Sequence, residues 1–182
     1  VYLNYANGTL AIERRDAWSG TWIGGNGNAL AEGMILDQWY TLRLARLGTA
    51  LAAEVYEGRV DPADATPAGG VQTTDAAWGD FTQVNVNGGH AFDTDELRVA
   101  RLAPIAAPSD GVFADDFDDG VADGWEMLRN GMVGLVEDGA GGWVLRKSAN
   151  NDPNGGWAAF AQAVSDFDLV VHTRKVATTG GN

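Results

Sequence analysis

The stretch "LDQWYTLRLARLGTALAAEVYEG" (residues 36–58) decides the fold class, because its apolar residues fit two different patterns. Six of them recur at near-helical spacing, namely Leu36, Tyr40, Leu44, Leu47, Leu51 and Val55. The alanine and leucine content also favours a helix. However, Gly48 interrupts the run, and "WYTLRL" and "ALAAEVYEG" alternate on either side of it. Alternation with a period of two is typical of β-strands, so the stretch predicts a β-hairpin that turns near Gly48.

The same alternation recurs along the chain. It is found in "GTLAIERR" (8–15), "DELRVARL" (95–102) and "DLVVHTRKV" (168–176). Each run is short and is bounded by Gly, Asn or Asp, which favour turns. The 25 glycines and only five prolines of the chain also suggest many turns rather than a disordered linker. The sequence therefore predicts an all-β protein built from antiparallel sheets.

The composition excludes several classes of function. The 182 residues carry a formal net charge of −13, and a surface this acidic repels nucleic acids and anionic membranes. There is no cysteine, which excludes disulfides, thiolate catalysis and cysteine zinc sites. No apolar run approaches the roughly 20 residues of a membrane span, so we expect no membrane insertion.

One composition shift divides the chain. A run rich in proline and alanine, "LAPIAAPSDG" (102–111), is followed at once by the aspartate-rich stretch "FADDFDDGVADGW" (113–125). Proline and alanine in such a run are typical of a linker. We therefore expect a boundary that separates residues 1–107 from residues 108–182.

The second region resembles the opening of a laminin-G-like, concanavalin-A-like β-sandwich domain. The resemblance lies in three stretches: "FADDFDDGVADGWE" (113–126), "GLVEDGAGGWVLR" (134–146) and "AVSDFDLVVHTRK" (163–175). The first region is similar to the later strands of the same family. There the matching stretches are "VYLNYANGTLAIERR" (1–15), "DQWYTLRLARLGTALAAEVYEG" (37–58) and "AFDTDELRVARL" (91–102).

The resemblance implies an antiparallel jelly-roll sandwich whose two halves stand in reversed order. Residues 1–107 would be the C-terminal half of one repeat, and residues 108–182 the N-terminal half of another. Three arrangements are open at this point. The halves close on each other within one chain, or they complete the halves of neighbouring copies, or the chain is cut out of phase from a tandem array. Completion between neighbours would build filaments, because incomplete sandwiches expose strand edges.

The aspartates suggest a calcium site. Calcium prefers six to eight oxygen ligands, which carboxylates supply. In related sandwiches the acids of the opening strand meet those of the closing strand. The resemblance thus implies a site formed by Asp115, Asp116, Asp118, Asp119, Asp93 and Asp95, with Glu96 beside them. The alternative is that these acids only face water at the ends of strands.

Catalysis is not expected. Sandwich glycosidases use paired carboxylates on one strand, in a pattern close to E-x-D-x-x-E. Asp93 and Asp95 share a strand face, but Arg98 stands where the last glutamate of that pattern belongs. His90 and His172 stand alone, with no serine or acid arranged around them, and His172 is predicted to face solvent.

Tryptophans and polar loops suggest glycan binding, because sugar rings stack on aromatic faces while their hydroxyls need polar partners. Two loops combine these features, "DAWSGTWIGGNGN" (16–28) and "NNDPNGGW" (150–157). The candidate ligand-binding residues are Trp18, Trp22, Asn26, Asn28, Asn150, Asn151, Asp152 and Trp157. Trp39, Trp125 and Trp143 are predicted instead to anchor the core.

These observations predict a non-catalytic β-sandwich module of an extracellular or cell-surface protein that serves adhesion. Its expected partners are glycans or neighbouring copies of itself, with calcium as a stabilising ion. One alternative is a structural fibre subunit that polymerises by complementation of half-domains. Another is a glycoside hydrolase.

Overall fold

The computed structural model describes residues 2–3, 8–16, 19–77, 79–86, 91–102, 111–127, 133–147 and 156–176. In this part of the chain there are fourteen β-strands and no helix, so the prediction of an all-β protein is confirmed. Accordingly, nothing in the described ranges is a helix long and apolar enough to cross a membrane. The strands are β1 (Tyr2–Leu3), β2 (Thr9–Asp16), β3 (Ser19–Asn28), β4 (Trp39–Leu47), β5 (Ala50–Glu57), β6 (Gly69–Thr74), β7 (Phe81–Val86), β8 (Phe92–Arg101), β9 (Gly111–Asp115), β10 (Trp125–Met127), β11 (Val133–Glu137), β12 (Trp143–Lys147), β13 (Gly156–Val164) and β14 (Phe167–Lys175).

The strands form a sandwich of antiparallel sheets. The large sheet has the order β11-β12-β8-β14-β4-β5-β6, with β9 also paired to β8. Two small sheets, β1-β2-β3 and β10-β13-β7, make up the opposite layer. The jelly-roll connectivity stays a prediction.

The hairpin predicted for residues 36–58 is confirmed. β4 and β5 pair from Tyr40↔Glu57 to Leu47↔Ala50, and Gly48 turns the chain with a φ of 58°. The helix-like spacing has a simple cause, because residues four apart also share one face of a strand. Tyr40 and Leu44 on β4, like Leu51 and Val55 on β5, therefore all face the core.

The core lies between the two layers. The large sheet contributes the fully buried side chains of Leu97, Val99 and Phe167, and β2 contributes Leu10 and Ile12 from the other side. Each such side chain stabilises the fold by about 1.5–3 kcal/mol relative to its exposure to water. The alternation seen in the sequence thus corresponds to one core-facing side of each strand.

Strands of the two predicted regions share one sheet. β14 lies between β4 and β8, and it pairs with both along most of its length. β12 also pairs with β8, and β13 pairs with β7. The boundary expected at residues 107 and 108 lies outside the described residues, and the division into two half-domains stays a prediction.

Candidate functional site

The aspartate-rich loop after β9 is held by its own side chains. Asp115 Oδ1 accepts a hydrogen bond from the Phe117 N–H at 2.9 Å, and Asp119 Oδ1 accepts one from the Val121 N–H at 2.9 Å. Asp116 accepts one from the Asp118 N–H in the same way, at 3.2 Å. Such bonds from an aspartate to the backbone two residues on stabilise turns. Part of this acidic run therefore has a structural role that the sequence analysis did not anticipate.

Phe117 fixes the loop to the core. Its φ of 59° is unusual for a residue with a side chain, yet the ring is fully buried. It packs against Trp125, with the two ring centroids 5.6 Å apart. The burial of this ring compensates for the backbone strain and holds the loop in place at the end of β9.

An acidic cleft lies beside this loop. It has a volume of about 380 Å³ and its carboxylate lining consists of Glu96, Asp115, Asp116, Asp119 and Asp123. Burial raises the pKa of Asp115 above its ordinary value. Asp115 Oδ2 and the Trp125 Nε1–H are both buried, and neither has a partner in hydrogen-bond geometry among the described residues. The Trp125 indole is nevertheless close enough to the Asp115 carboxyl to offset part of the rise in its pKa. The structure thus brings Glu96 of β8 close to the acids at the end of β9 and in the loop that follows it.

The other predicted metal ligands lie elsewhere. Asp118 is near Asp95, whose pKa is raised chiefly by burial and is raised further by the charge of Asp118. Within the described ranges, no group of three or more acidic or histidine side chains is arranged to hold a metal ion. Calcium binding stays a prediction.

Asp93 forms ion pairs with arginines. Its side chain is fully buried on β8, and its two oxygens accept hydrogen bonds from Arg146 Nε at 2.6 Å and Arg146 Nη2 at 2.8 Å. Arg174 Nε adds a third hydrogen bond to Oδ2, also at 2.8 Å. Two guanidinium groups thus surround this carboxylate, and their charges compensate for its burial.

A loop covers the outer face of the large sheet, which is the face turned away from the small sheets. This loop, residues 58–68, joins β5 to β6 and reaches across β4 and β14 to β8. The Val60 N–H donates to Thr41 Oγ1 at 3.1 Å, and Arg98 Nη2 donates to Asp61 Oδ1 at 3.2 Å. Arg59 Nη1 lies 2.8 Å from Asp95 Oδ2.

Trp39 lies between two arginines on the same face. The guanidinium carbon of Arg59 is 3.9 Å from the Trp39 ring centroid, and that of Arg174 is 4.7 Å from it. Cations at such distances are attracted to an aromatic face. Trp39 was predicted to anchor the core, but it is only half-buried and packs against these arginines. Trp125 and Trp143 do pack in or against the core, as predicted.

An ionic network that the sequence did not predict lies at the centre of the outer face. Arg43 Nε donates to Asp168 Oδ1 at 2.7 Å, and Arg43 Nη1 donates to Glu54 Oε2 at 3.1 Å. The Tyr56 hydroxyl donates to the same Glu54 oxygen at 2.7 Å. Burial, aided by this hydrogen bond, raises the pKa of Tyr56 to about 12. The hairpin register could have revealed part of it, since a turn at Gly48 places Arg43 opposite Glu54.

The prediction that His172 faces solvent is wrong. Its exposed fraction is 9%, because β14 is a central strand and the 58–68 loop lies over this part of the sheet. His172 Nδ1 lies 3.4 Å from Glu96 Oε2. Strand alternation distinguishes the two faces of a sheet, but it does not show whether a loop covers the second one.

Four of the predicted glycan-binding residues lie outside the described residues, namely Trp18, Asn150, Asn151 and Asp152. The backbone of Asn26 and Asn28 lies on β3, and that of Trp157 lies on β13, opposite Glu126. The side chain of Trp22 is described, and its exposed fraction is 57%. Trp22 is therefore the candidate whose described side chain is accessible to a ligand.

Trp22 is exposed on the outer side of the β1-β2-β3 sheet, and Glu13 beside it is half-buried. They are directly opposite each other on β3 and β2. Their neighbours Ile12 and Ile23 face the core, so the pair faces away from it. A Cβ atom at Gly20 would overlap the Glu13 carboxylate, which shows that this carboxylate lies over Gly20, two residues from Trp22.

Two surfaces thus carry the polar and aromatic side chains of interest. One is the outer face of the large sheet, where the charges described are paired with each other. The other is the outer side of the β1-β2-β3 sheet, where the exposed Trp22 lies opposite the half-buried Glu13. Comparison of the chain with protein-family models, with curated proteins and with solved structures gave no match.

Proposed function

We propose that this chain is a non-catalytic β-sandwich module that binds glycans and serves adhesion at a cell surface or outside the cell. The proposal includes the laminin-G-like, concanavalin-A-like family that the sequence resembles. The observation that carries it is the exposure of Trp22, at 57%, on a paired strand. An aromatic ring held by a sheet offers sugar rings a flat and rigid surface.

The surroundings of Trp22 support binding rather than core packing. Ile23, the next residue, packs against the core and fixes the direction of the strand. The Trp22 ring is therefore presented outward, beside the carboxylate of Glu13. An exposed aromatic ring of this kind offers a sugar ring a surface on which to stack.

Three acids of the large sheet support a role without catalysis. A glycosidase needs two carboxyl groups about 5–9.5 Å apart that are accessible to the substrate. Here Asp93 is enclosed by Arg146 and Arg174, and Asp168 is held by Arg43. Asp95 is paired with Arg59. These carboxylates are engaged in ion pairs that stabilise the sheet.

A glycan array probed with the full chain tests the proposal. We expect binding to a subset of glycans and a loss of about ten-fold or more in Trp22→Ala, because burial of such a ring contributes on the order of 1.5–3 kcal/mol. Leu47→Ala is the matched control, since Leu47 is also 57% exposed but lies on the β4–β5 hairpin. Equal binding by the two variants would contradict the role of Trp22, and an array without any bound glycan would contradict the proposed function.

A further inference from the structure

We infer that the edge strand β6 and the outer face beside it bind an extended segment of another polypeptide, which adds to the large sheet as a further antiparallel strand. This surface is separate from the one proposed for glycans at Trp22, which lies on the opposite layer. Two features carry the inference, namely the open edge of β6 and an apolar depression that begins at its side chains.

β6 ends the large sheet. It pairs with β5, and within the described ranges no strand pairs with its other side. The Asp75 N–H donates to the Thr49 carbonyl oxygen at 2.8 Å, one position beyond the end of this pairing. Because hydrogen-bonded and non-hydrogen-bonded pairs alternate in an antiparallel ladder, Gly70, Gln72 and Thr74 direct their N–H and C=O groups away from β5. These three are also the exposed residues of the strand.

The β6 strand carries few of the features that protect an edge from new partners. Edge strands are commonly protected by charged residues, by proline, by a bulge or by a covering loop. The sequence of β6 is "GGVQTT" (69–74), without charge or proline, and its pairing with β5 has no register shift. By contrast β11, the edge strand at the other end of this sheet, ends in the exposed Glu137. The outward backbone groups of β6 are therefore open to an added strand.

An apolar depression lies beside this edge, on the outer face of the large sheet. Val71 packs against the core, and Thr73 Oγ1 donates to the Ile23 carbonyl oxygen of the opposite layer at 2.6 Å. Since side chains alternate along a strand, Gln72 and Thr74 face outward. The depression has a volume of about 600 Å³. Its lining from β4, β5 and β6 includes Ala45, Leu47, Ala50, Ala52, Gln72 and Thr74.

An added strand would place alternate side chains at this depression. A residue directly opposite Gln72 or Thr74 has its side chain on the same face of the sheet as they do. Apolar side chains at these positions would cover the part of the depression next to β6, while the residues between them face the other way. In such complexes the main-chain hydrogen bonds give affinity, and the contacts of alternate side chains give specificity.

The charge of the molecule favours a basic segment over a second copy of the chain. The formal net charge of −13 makes two copies repel each other, whereas a segment with lysine or arginine near its ends is attracted. The partner that fits β6 is therefore an extended segment with apolar residues at alternate positions and basic residues on either side of them.

Fluorescence anisotropy with a synthetic peptide tests the inference. The probe is a labelled Lys-Lys-Thr-Phe-Thr-Phe-Thr-Lys-Lys peptide with an amidated C-terminus. One comparison peptide is N-methylated at both phenylalanines, whose N–H groups would face β6, and the other at two threonines, whose N–H groups would face away. We expect the first methylation to weaken binding to the full chain about ten-fold and the second to change it by less than about two-fold. All three peptides have the same charge, so charge attraction alone predicts equal binding.

Amide hydrogen exchange, followed by NMR, locates the bound peptide. In the free chain the N–H groups of Gly70, Gln72 and Thr74 should exchange quickly, while those of Val71 and Thr73, which face β5, should exchange slowly. Addition of the unmethylated peptide should slow exchange at the first three residues.

Two proline variants test the edge itself. Gln72→Pro removes one outward N–H and should weaken binding of the unmethylated peptide about ten-fold, because proline is tolerated in an edge strand where the N–H faces solvent. Glu137→Pro is the matched control on β11. There the Asp138 N–H donates to the Gly142 carbonyl oxygen, so the N–H of Glu137 also faces away from the neighbouring strand. Thermal unfolding of both variants checks that the fold is kept, and the methylated peptides decide the question even if Gln72→Pro does not fold.

Several outcomes would overturn the inference. The first is equal binding of the two methylated peptides, and the second is unchanged exchange at Gly70, Gln72 and Thr74 when the peptide binds. Slow exchange of these amides in the free chain would show that the edge is already occupied. Slowing that appears when the protein alone is concentrated would show that a second copy takes the place of the peptide. None of these results bears on the glycan array with Trp22→Ala, so the two proposals can fail separately.

Discussion

Charged residues on the outer face of the large sheet are held by hydrogen bonds and ion pairs with their neighbours. Arg43 is bound by Asp168 and Glu54, and Glu54 also accepts the Tyr56 hydroxyl. Arg43 compensates for the charge of Glu54, while burial and the hydrogen bond to Glu54 raise the pKa of Tyr56. Arg43, Asp168, Glu54 and Tyr56 thus form one connected network of hydrogen bonds.

Tyr56 should give this network a measurable pH dependence. Its pKa is raised from 10.0 to about 12 in the folded protein. The contribution of Tyr56 to stability is therefore complete below about pH 10, and it is lost as the pH rises toward about 12, because the unfolded chain then releases the proton first. Tyr56→Phe should lower the free energy of unfolding by about 1.5 kcal/mol at neutral pH.

Two measurements check this expectation. Absorbance titration of tyrosinate should show a component near pH 12 that is missing in Tyr56→Phe. Urea unfolding should show that the variant loses less stability than the wild type between about pH 10 and pH 12. A variant that titrates and unfolds like the wild type would contradict the assignment of the raised pKa to Tyr56.

At the scale of elements, the sequence predicted the strands better than it predicted the loops that pack over them. The hairpin of β4 and β5 could be predicted because alternation and Gly48 are local signals. The burial of His172 could not, since it results from a loop joined to β5, far from β14 in sequence. Likewise, the aspartates at 115–119 were predicted as cation ligands from their charge, but their hydrogen bonds to the backbone depend on the path of the loop.

The acidic cleft beside that loop provides a direct test of calcium. If calcium binds there, a concentration about 100 times its Kd should stabilise the fold by about 2.7 kcal/mol and raise the Tm by roughly 5–10 °C. Asp119→Asn should reduce this rise, while its side-chain oxygen can still accept the hydrogen bond from Val121. Asp64→Asn is the control, because Asp64 is an exposed acid of the 58–68 loop. A Tm that is the same in calcium and in chelator would exclude stabilisation by calcium.

At the scale of the whole molecule, β14 joins the two regions of the chain. Its partners β4 and β8 both belong to the region before the proline-rich run, whereas β14 follows it. The order of the regions suggested by the resemblance is therefore compatible with one sheet within one chain. Sequence patterns identified these strands but not their order, because neither β4 nor β8 is near β14 in sequence.

Cleavage between the two regions tests how much this interleaving contributes. With a protease site inserted in the full chain between residues 103 and 110, we expect the two cleaved pieces to elute together, because β14 still pairs with β4 and β8. Their unfolding midpoint should then depend on concentration, as for any dimer, while that of the uncut chain should not. If the pieces separate, strand pairing alone does not hold the regions together. A midpoint that depends on concentration in the uncut chain would instead indicate that neighbouring copies complete each other's sheets, as in the fibre alternative.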